Sequence, residues 1–269
     1  MSILQALILG AVQGLTEFIP ISSSGHLVLV PAALGWRKPG LAFDVLLHVA
    51  SLVALLVYFM GDLLDLWRST LAGDRGARKL VLLLAIGSVP AAAAGYLLGD
   101  YFERSFTDAE ASAVQLVITA AILVAAELML RYHERRTAKQ GSRLRRMDGM
   151  DVGDAGVIGV AQAVSILPGI SRSGATIAAG LGLSISRDDA ARFSFLLAIP
   201  ALFGAAIVKI PDLASAHSLG VGAALAGFLA SLVTSYAAIW GLIRYLRSNT
   251  LYPFAIYCVV AGVVFALLV

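Results

Sequence analysis

The chain has 269 residues, 59% of them hydrophobic and 14% charged, with a formal net charge of +3 at pH 7. A soluble domain of that balance would expose far more apolar surface than its core could bury, so an ordinary globular fold is excluded and lipid is the main solvent. The single cysteine, Cys258, excludes a disulfide framework and a thiolate metal centre and reads as a packing residue.

The first 33 residues lack the basic region and small-residue cleavage site of a secretory signal, and Gln13 and Glu17 fall inside the first apolar stretch, so the segment is expected in the mature protein. That stretch, 3–33, is broken by IPISSSG at 19–25, and a second, 153–184, is broken by LPGISRSG at 167–174. Neither half of a broken stretch is long enough to span. Irregular backbone at membrane depth is tolerated only where protein buries it or it lines a wet cavity, so each stretch reads as a re-entrant helix, loop, helix hairpin. Between and after them, residues 41–60, 79–98, 109–131, 188–209, 219–243 and 251–269 read as full spans, long enough for about 30 Å of hydrocarbon.

GAVQGLTEFIPISSSG at 10–25 aligns without a gap on GVAQAVSILPGISRSG at 159–174, an offset of 149, and FDVLLHVASL at 43–52 resembles FSFLLAIPAL at 193–202. The chain therefore reads as a duplication. Each half holds one hairpin that returns to its own side and an odd number of spans, which inverts the second half. The expectation is an all-α, polytopic membrane protein: a single membrane domain over 1–269, six spanning helices and two re-entrant hairpins in inverted-topology repeats, 1–150 and 151–269.

This topology sends fifteen of the 20 Lys and Arg to one face and four, Arg37, Lys38, Arg104 and Lys209, to the other, leaving Arg172 inside the membrane. The basic face is the cytoplasmic one by the positive-inside rule, which puts both termini and the mouth of the first hairpin outside. The basic run from Arg131 to Arg146 has no interleaved aromatics, so topology and anionic lipid explain it and nucleic acid is not an expected partner. Asp148, Asp151 and Asp154 read as a solvated loop and first helical turn.

Ionisable side chains within the bilayer cost at least a few kcal/mol, which makes Glu17, His26 and Arg172 functional candidates. Gln13 and Glu17, four apart on a helix, share a face and could share a hard divalent cation, Mg or Ca, with a phosphorylated substrate completing the shell. Each hairpin tip is a serine-rich turn opening a helix, so hydroxyls and N–H groups gather there as an anion pocket: Ser22, Ser23 and Ser24 from one half, and Ser171, Ser173 and Thr176 around Arg172 from the other. Arg172 replaces Ser23 in the repeat alignment, so one half supplies a fork for phosphate oxygens while the other keeps an acid, a hydroxyl and an imidazole. Ser23, His26 and Glu17 together suffice for nucleophilic or acid–base chemistry on a phosphoryl group. His48, on the next span, reads as structural, and Asp44 beside it is placed to line the cavity.

QGLTE at 13–17, running through FIPISSSGH to His26, and PGISRSGAT at 168–176 resemble the two motifs of the bacterial undecaprenyl pyrophosphate phosphatase family, the type associated with bacitracin resistance. The first family motif is an acid or amide, three residues and Glu; the second is Pro, Gly, any residue, Ser, Arg, Ser, two others and Thr. Gln13 stands where Glu is frequent, which weakens that side chain as a ligand. The resemblance implies hydrolysis of undecaprenyl diphosphate to undecaprenyl phosphate and inorganic phosphate in a bacterial inner (plasma) membrane, recycling the lipid carrier of cell-wall synthesis, with room for a homodimer among membrane lipids. It also implies that Glu17 and Gln13 hold the cation or Glu17 acts as base, that Ser23 and His26 serve attack and proton transfer, and that Arg172, Ser171, Ser173 and Thr176 bind the diphosphate. Ser23, His26 and an activated water stay open as attacking group. The rival expectation is a polyprenyl phosphate flippase or secondary transporter, since broken helices and midplane charges also build carriers.

Overall fold

The computed structural model describes residues 1–37, 39–105, 109–167, 170–214 and 220–268, with the side chains of 98–105, 109 and 210–214 excepted. The described residues form eleven α-helices and no strand. In order they are α1 (Ile3–Phe18), α2 (Ser23–Ala33), α3 (Leu41–Tyr58), α4 (Met60–Leu71), α5 (Arg75–Ser105), α6 (Ala109–Lys139), α7 (Val152–Val164), α8 (Arg172–Gly182), α9 (Arg187–Ala214), α10 (Val221–Leu246) and α11 (Tyr252–Leu268). Five of them, α3, α5, α6, α9 and α10, are long and apolar enough to cross a membrane. Segment 251–269 also forms an apolar helix, of 17 residues, the lower limit for a span. The amphipathic α4 was not expected: Met60, Leu64, Trp67 and Leu71 form an exposed apolar stripe, while Asp62, Asp65 and Arg68 interrupt any apolar run.

Both broken stretches fold as two short helices around an irregular tip. α1 stops at Phe18 because Ile19 precedes Pro20, which disfavours helical backbone at the residue before it, and Ile19 takes ψ 136°. Ser22 restarts the chain as α2 and caps the N–H of Gly25 at 3.3 Å. Its φ of 67° is a left-handed conformation that costs a serine about 1–2 kcal/mol and is typical of functional turns. In the second half Ser171 does the same for Gly174 at 3.0 Å and opens α8. Pro168 and Gly169 of that tip, like Lys38 in the charge count, lie outside the described residues, as does the side chain of Arg104.

Packing repeats the sequence duplication. α1 lies on α10, and its counterpart α7 lies on α5. Each crossing turns on a glycine pair: a Cβ on Gly10 would strike the carbonyl oxygen of Gly227, and one on Gly159 would strike that of Gly87. Small residues let helix backbones approach this closely where lipid offers no hydrophobic drive. α3 and α9 meet in the middle, with the aligned Phe43 and Phe193 both fully buried. Polar contacts join α3 to α10, where Ser51 Oγ lies 3.2 Å from Ser231 Oγ and 3.0 Å from Ser235 Oγ. Cys258 packs, fully buried, with Sγ 3.8 Å from the carbonyl of Pro20.

One end of the bundle collects most of the ion pairs. Arg145 grips Asp154 at 2.5 and 2.9 Å, Arg146 reaches Asp189 at 3.6 Å, and Arg192 reaches Asp62 at 3.0 Å. Arg187, leading α9, forks onto Glu127 of α6, whose carboxylate also accepts the N–H of Leu251 before α11. Two expectations change here. Asp154 is 5% exposed rather than solvated, because the capping box with Asp151 turns it toward Arg145. Glu127, fully buried within a helix long and apolar enough to cross a membrane, was not singled out by the sequence, and Arg187 offsets its desolvation.

Candidate active site

The two tips touch. Arg172, first residue of α8, puts Nη2 2.6 Å from Glu17 Oε1 at the end of α1, and Ser173 Oγ donates to the carbonyl of Ile19 at 3.3 Å. Glu17 is 7% exposed, so its charge has little water and depends on protein donors. Its other oxygen, Oε2, accepts from Ser23 Oγ at 2.5 Å and from Gln13 Nε2 at 3.0 Å. The helical spacing of four between Gln13 and Glu17 brings these two together as the sequence indicated. A carboxylate, a hydroxyl and a guanidinium therefore converge where two helix N-termini, opening at Ser23 and Arg172, bring first-turn N–H groups without intrahelical acceptors.

The other site candidates divide. Ser22 and Ser24 hold each other at 3.3 Å, and Ser171 and Ser173 at 3.2 Å, lining the two tips. The Ser171 N–H donates to Thr119 Oγ1 of α6 at 3.1 Å, which fixes the second tip in the bundle. Thr176 is turned the other way, bonded at 2.5 Å to Ser194 of α9 and at 2.8 Å to its own helix carbonyl at Arg172. His26 is 3% exposed with both ring nitrogens engaged: Nδ1 on the Ser22 carbonyl at 2.7 Å, Nε2 on Tyr257 Oη at 2.8 Å, its ring stacked on the tyrosine at 5.7 Å. Its contacts run toward α11.

The imidazole beside Glu17 is that of His48, with Nε2 3.7 Å from Oε2. Sequence reasoning missed it, although the signal was present: an ionisable residue inside an apolar span is the criterion that singled out Glu17. Ser194 and Tyr257 are also new, and nothing in their local sequence marks them. Among the described residues no three His, Cys, Asp or Glu side chains gather as a metal cluster. One observation nevertheless fits a cation beside Glu17: Gln13 is fully buried and its Oε1 has no hydrogen-bond partner.

Fold and site define a class: a multi-pass helical membrane protein with a buried acid, serine and arginine gathered between two broken helices. The family model described as Bacitracin resistance protein BacA matches residues 6–264, and the chain belongs to that family. It is 42% identical over 270 residues to a protein of Geobacter sulfurreducens named undecaprenyl-diphosphatase, covering 97% of this chain and 96% of that one. Proteins of the same name from Methanosphaera stadtmanae and Trichlorobacter lovleyi are 39% and 40% identical, each covering 98% of this chain and respectively 97% and 96% of their own length.

Proposed function

We propose that this protein is an integral membrane phosphatase that hydrolyses undecaprenyl diphosphate to undecaprenyl phosphate and inorganic phosphate. The observation that carries the reading is the junction of Ser23, Glu17 and Arg172, supported by the name its relatives bear. The diphosphate sits between the tips with its lipid tail in hydrocarbon. Glu17 Oε2 takes the Ser23 proton as Oγ attacks the terminal phosphorus, the P–O bond to the bridging oxygen breaks, and Glu17 passes that proton to the bridging oxygen as undecaprenyl phosphate leaves. The freed Glu17 carboxylate then deprotonates water, whose new P–O bond displaces Ser23 Oγ from phosphorus, and Glu17 returns the proton to Oγ as inorganic phosphate leaves. Arg172, Ser171, Ser173 and the first-turn N–H groups stabilise the negative charge on the phosphoryl oxygens. Arg172 faces the acid before substrate arrives, so diphosphate binding exchanges one anionic partner for another. Ser22 and Ser24 shape the first tip, Thr176 braces the second against Ser194, and the His26–Tyr257 contact anchors α2. A divalent cation, Mg or Ca, belongs to the proposal: Gln13 and Glu17 would hold it with substrate oxygens, and it would neutralise diphosphate charge.

The proposal places the protein in the bacterial inner membrane as a single domain of two inverted repeats, 1–150 and 151–269, with six spans, two re-entrant hairpins and both termini outside. The reciprocal glycine crossings and the gathering of basic residues at one end of the bundle support this arrangement. The expected homodimer is carried with it, and light scattering in detergent checks it. The flippase reading is set aside, because the relatives are named as diphosphatases and a carrier gives no reason for a serine on a carboxylate.

Phosphate release from purified protein in detergent, with undecaprenyl diphosphate and magnesium or calcium, tests the proposal. Release is expected from the wild type and should fall by about 10²-fold or more in Glu17→Ala and Arg172→Ala. Lipid transfer in vesicles without phosphate release would turn the reading toward a carrier.

A further inference from the structure

We infer that His48 is a third protein ligand, through Nε2, for a divalent cation held with Glu17 and Gln13. The inference rests on the cation reading above and adds an imidazole to it. His48 Nδ1 lies 2.7 Å from the carbonyl of Asp44, which can only accept, so Nδ1 carries a proton and Nε2 is the nitrogen turned to the site. Nε2 stands 3.7 Å from Glu17 Oε2, beyond hydrogen-bond reach. A divalent cation between them would draw on the Nε2 lone pair and the carboxylate together. Donor atoms bound to one divalent ion at about 2.0–2.4 Å stand roughly 3–4 Å apart, which the observed gap matches.

Two further observations point the same way. The orphaned Gln13 Oε1 belongs to the side chain whose Nε2 already touches the same Glu17 oxygen. A ring that donates its other N–H to a backbone carbonyl has the usual setting of a metal-ligating histidine, with orientation and tautomer fixed from behind. The His48 side chain is 36% exposed, so a cation there stays accessible to a diphosphate. Calcium and magnesium prefer oxygen donors, and a nitrogen among the ligands favours first-row transition ions, Zn²⁺ most and Mn²⁺ less, over Ca²⁺.

Mn²⁺ titration of the purified full chain in detergent, followed by EPR with affinity tag removed, tests this. The expected result is Mn²⁺ binding without substrate, ¹⁴N modulation from a coordinated imidazole, and preference for Mn²⁺ over Ca²⁺ in competition. His48→Ala should weaken binding by about tenfold or more and abolish the modulation, while His133→Ala keeps both. His48→Gln, which retains a polar side chain at that position, should bind Mn²⁺ without the modulation, a result no misfolded variant would give. Unchanged affinity and modulation in His48→Ala, alongside binding lost in Glu17→Gln, would overturn the role of His48 and leave the cation at Glu17 standing. Binding that survives both Glu17→Gln and His48→Ala would overturn the cation reading and this inference together, whereas none by the wild type would overturn this inference and leave a site completed by substrate oxygens standing.

Discussion

Arg172 and Glu17 lie 155 residues apart in the chain and meet at 2.6 Å, each at the tip of a broken helix from a different half. A buried ion pair is poor at stabilising a fold in itself, but removing one partner leaves a charge with nothing to offset its desolvation. The pair thus separates stability from activity.

Arg172→Met should lower the thermal midpoint in detergent markedly, equivalent to about 3–5 kcal/mol, by stranding Glu17. Glu17→Gln/Arg172→Met should recover much of that midpoint and stay inactive. A double variant no more stable than Arg172→Met would mean that the pair is not the source of the loss.

Ser22 combines a helix cap with a left-handed backbone. Ser22→Ala loses the cap and keeps the strain, whereas Ser22→Gly loses the cap and relieves it, so Gly should be the more stable variant by about 1 kcal/mol. Thermal denaturation of the two side by side reads the order, and Ala above Gly would contradict it.

The glycine crossings should be intolerant of a single methyl. Gly10→Ala and Gly159→Ala push helix backbones apart and should reduce folded yield and midpoint, while a Cβ at Gly95, in α5, meets nothing within 4 Å. Gly95→Ala should be neutral or stabilising by up to about 1 kcal/mol, as helix propensity alone dictates.

Residue 140 lies beyond the end of α6 at the basic end of the bundle. A cysteine placed there in a Cys258→Ala background should react with impermeant reagents only from the cytoplasmic side. Labelling from outside would reverse the orientation.

Much of this architecture was legible because the bilayer leaves a one-dimensional signal: apolar runs set the spans, and Pro20 and the serine clusters set the breaks. Gln13 and Glu17 were readable as a pair because a helix fixes what lies four residues away. The contact of Glu17 with Arg172 was readable only through the duplication, which implied that the two tips are equivalent. His48 carried the signal of an ionisable residue inside an apolar span, but its place beside Glu17 depends on how α3 leans against α1, and no local spacing encodes that. For the same reason His26 read as a partner of Ser23, when its ring turns to Tyr257, 231 residues away. α4 escaped notice because its apolar residues lie on one stripe among charges, a pattern that span-length windows average out.

If the two tips act on one phosphate, their side chains work as a unit and their losses do not multiply. The most direct measurement is kcat/KM for phosphate release from undecaprenyl diphosphate by Ser23→Ala, Arg172→Ala and the double variant. Each single change should cost about 10²-fold or more, with the double within about tenfold of the worse single. A double variant whose loss equals the product of the two singles would show the tips acting independently and contradict the shared site.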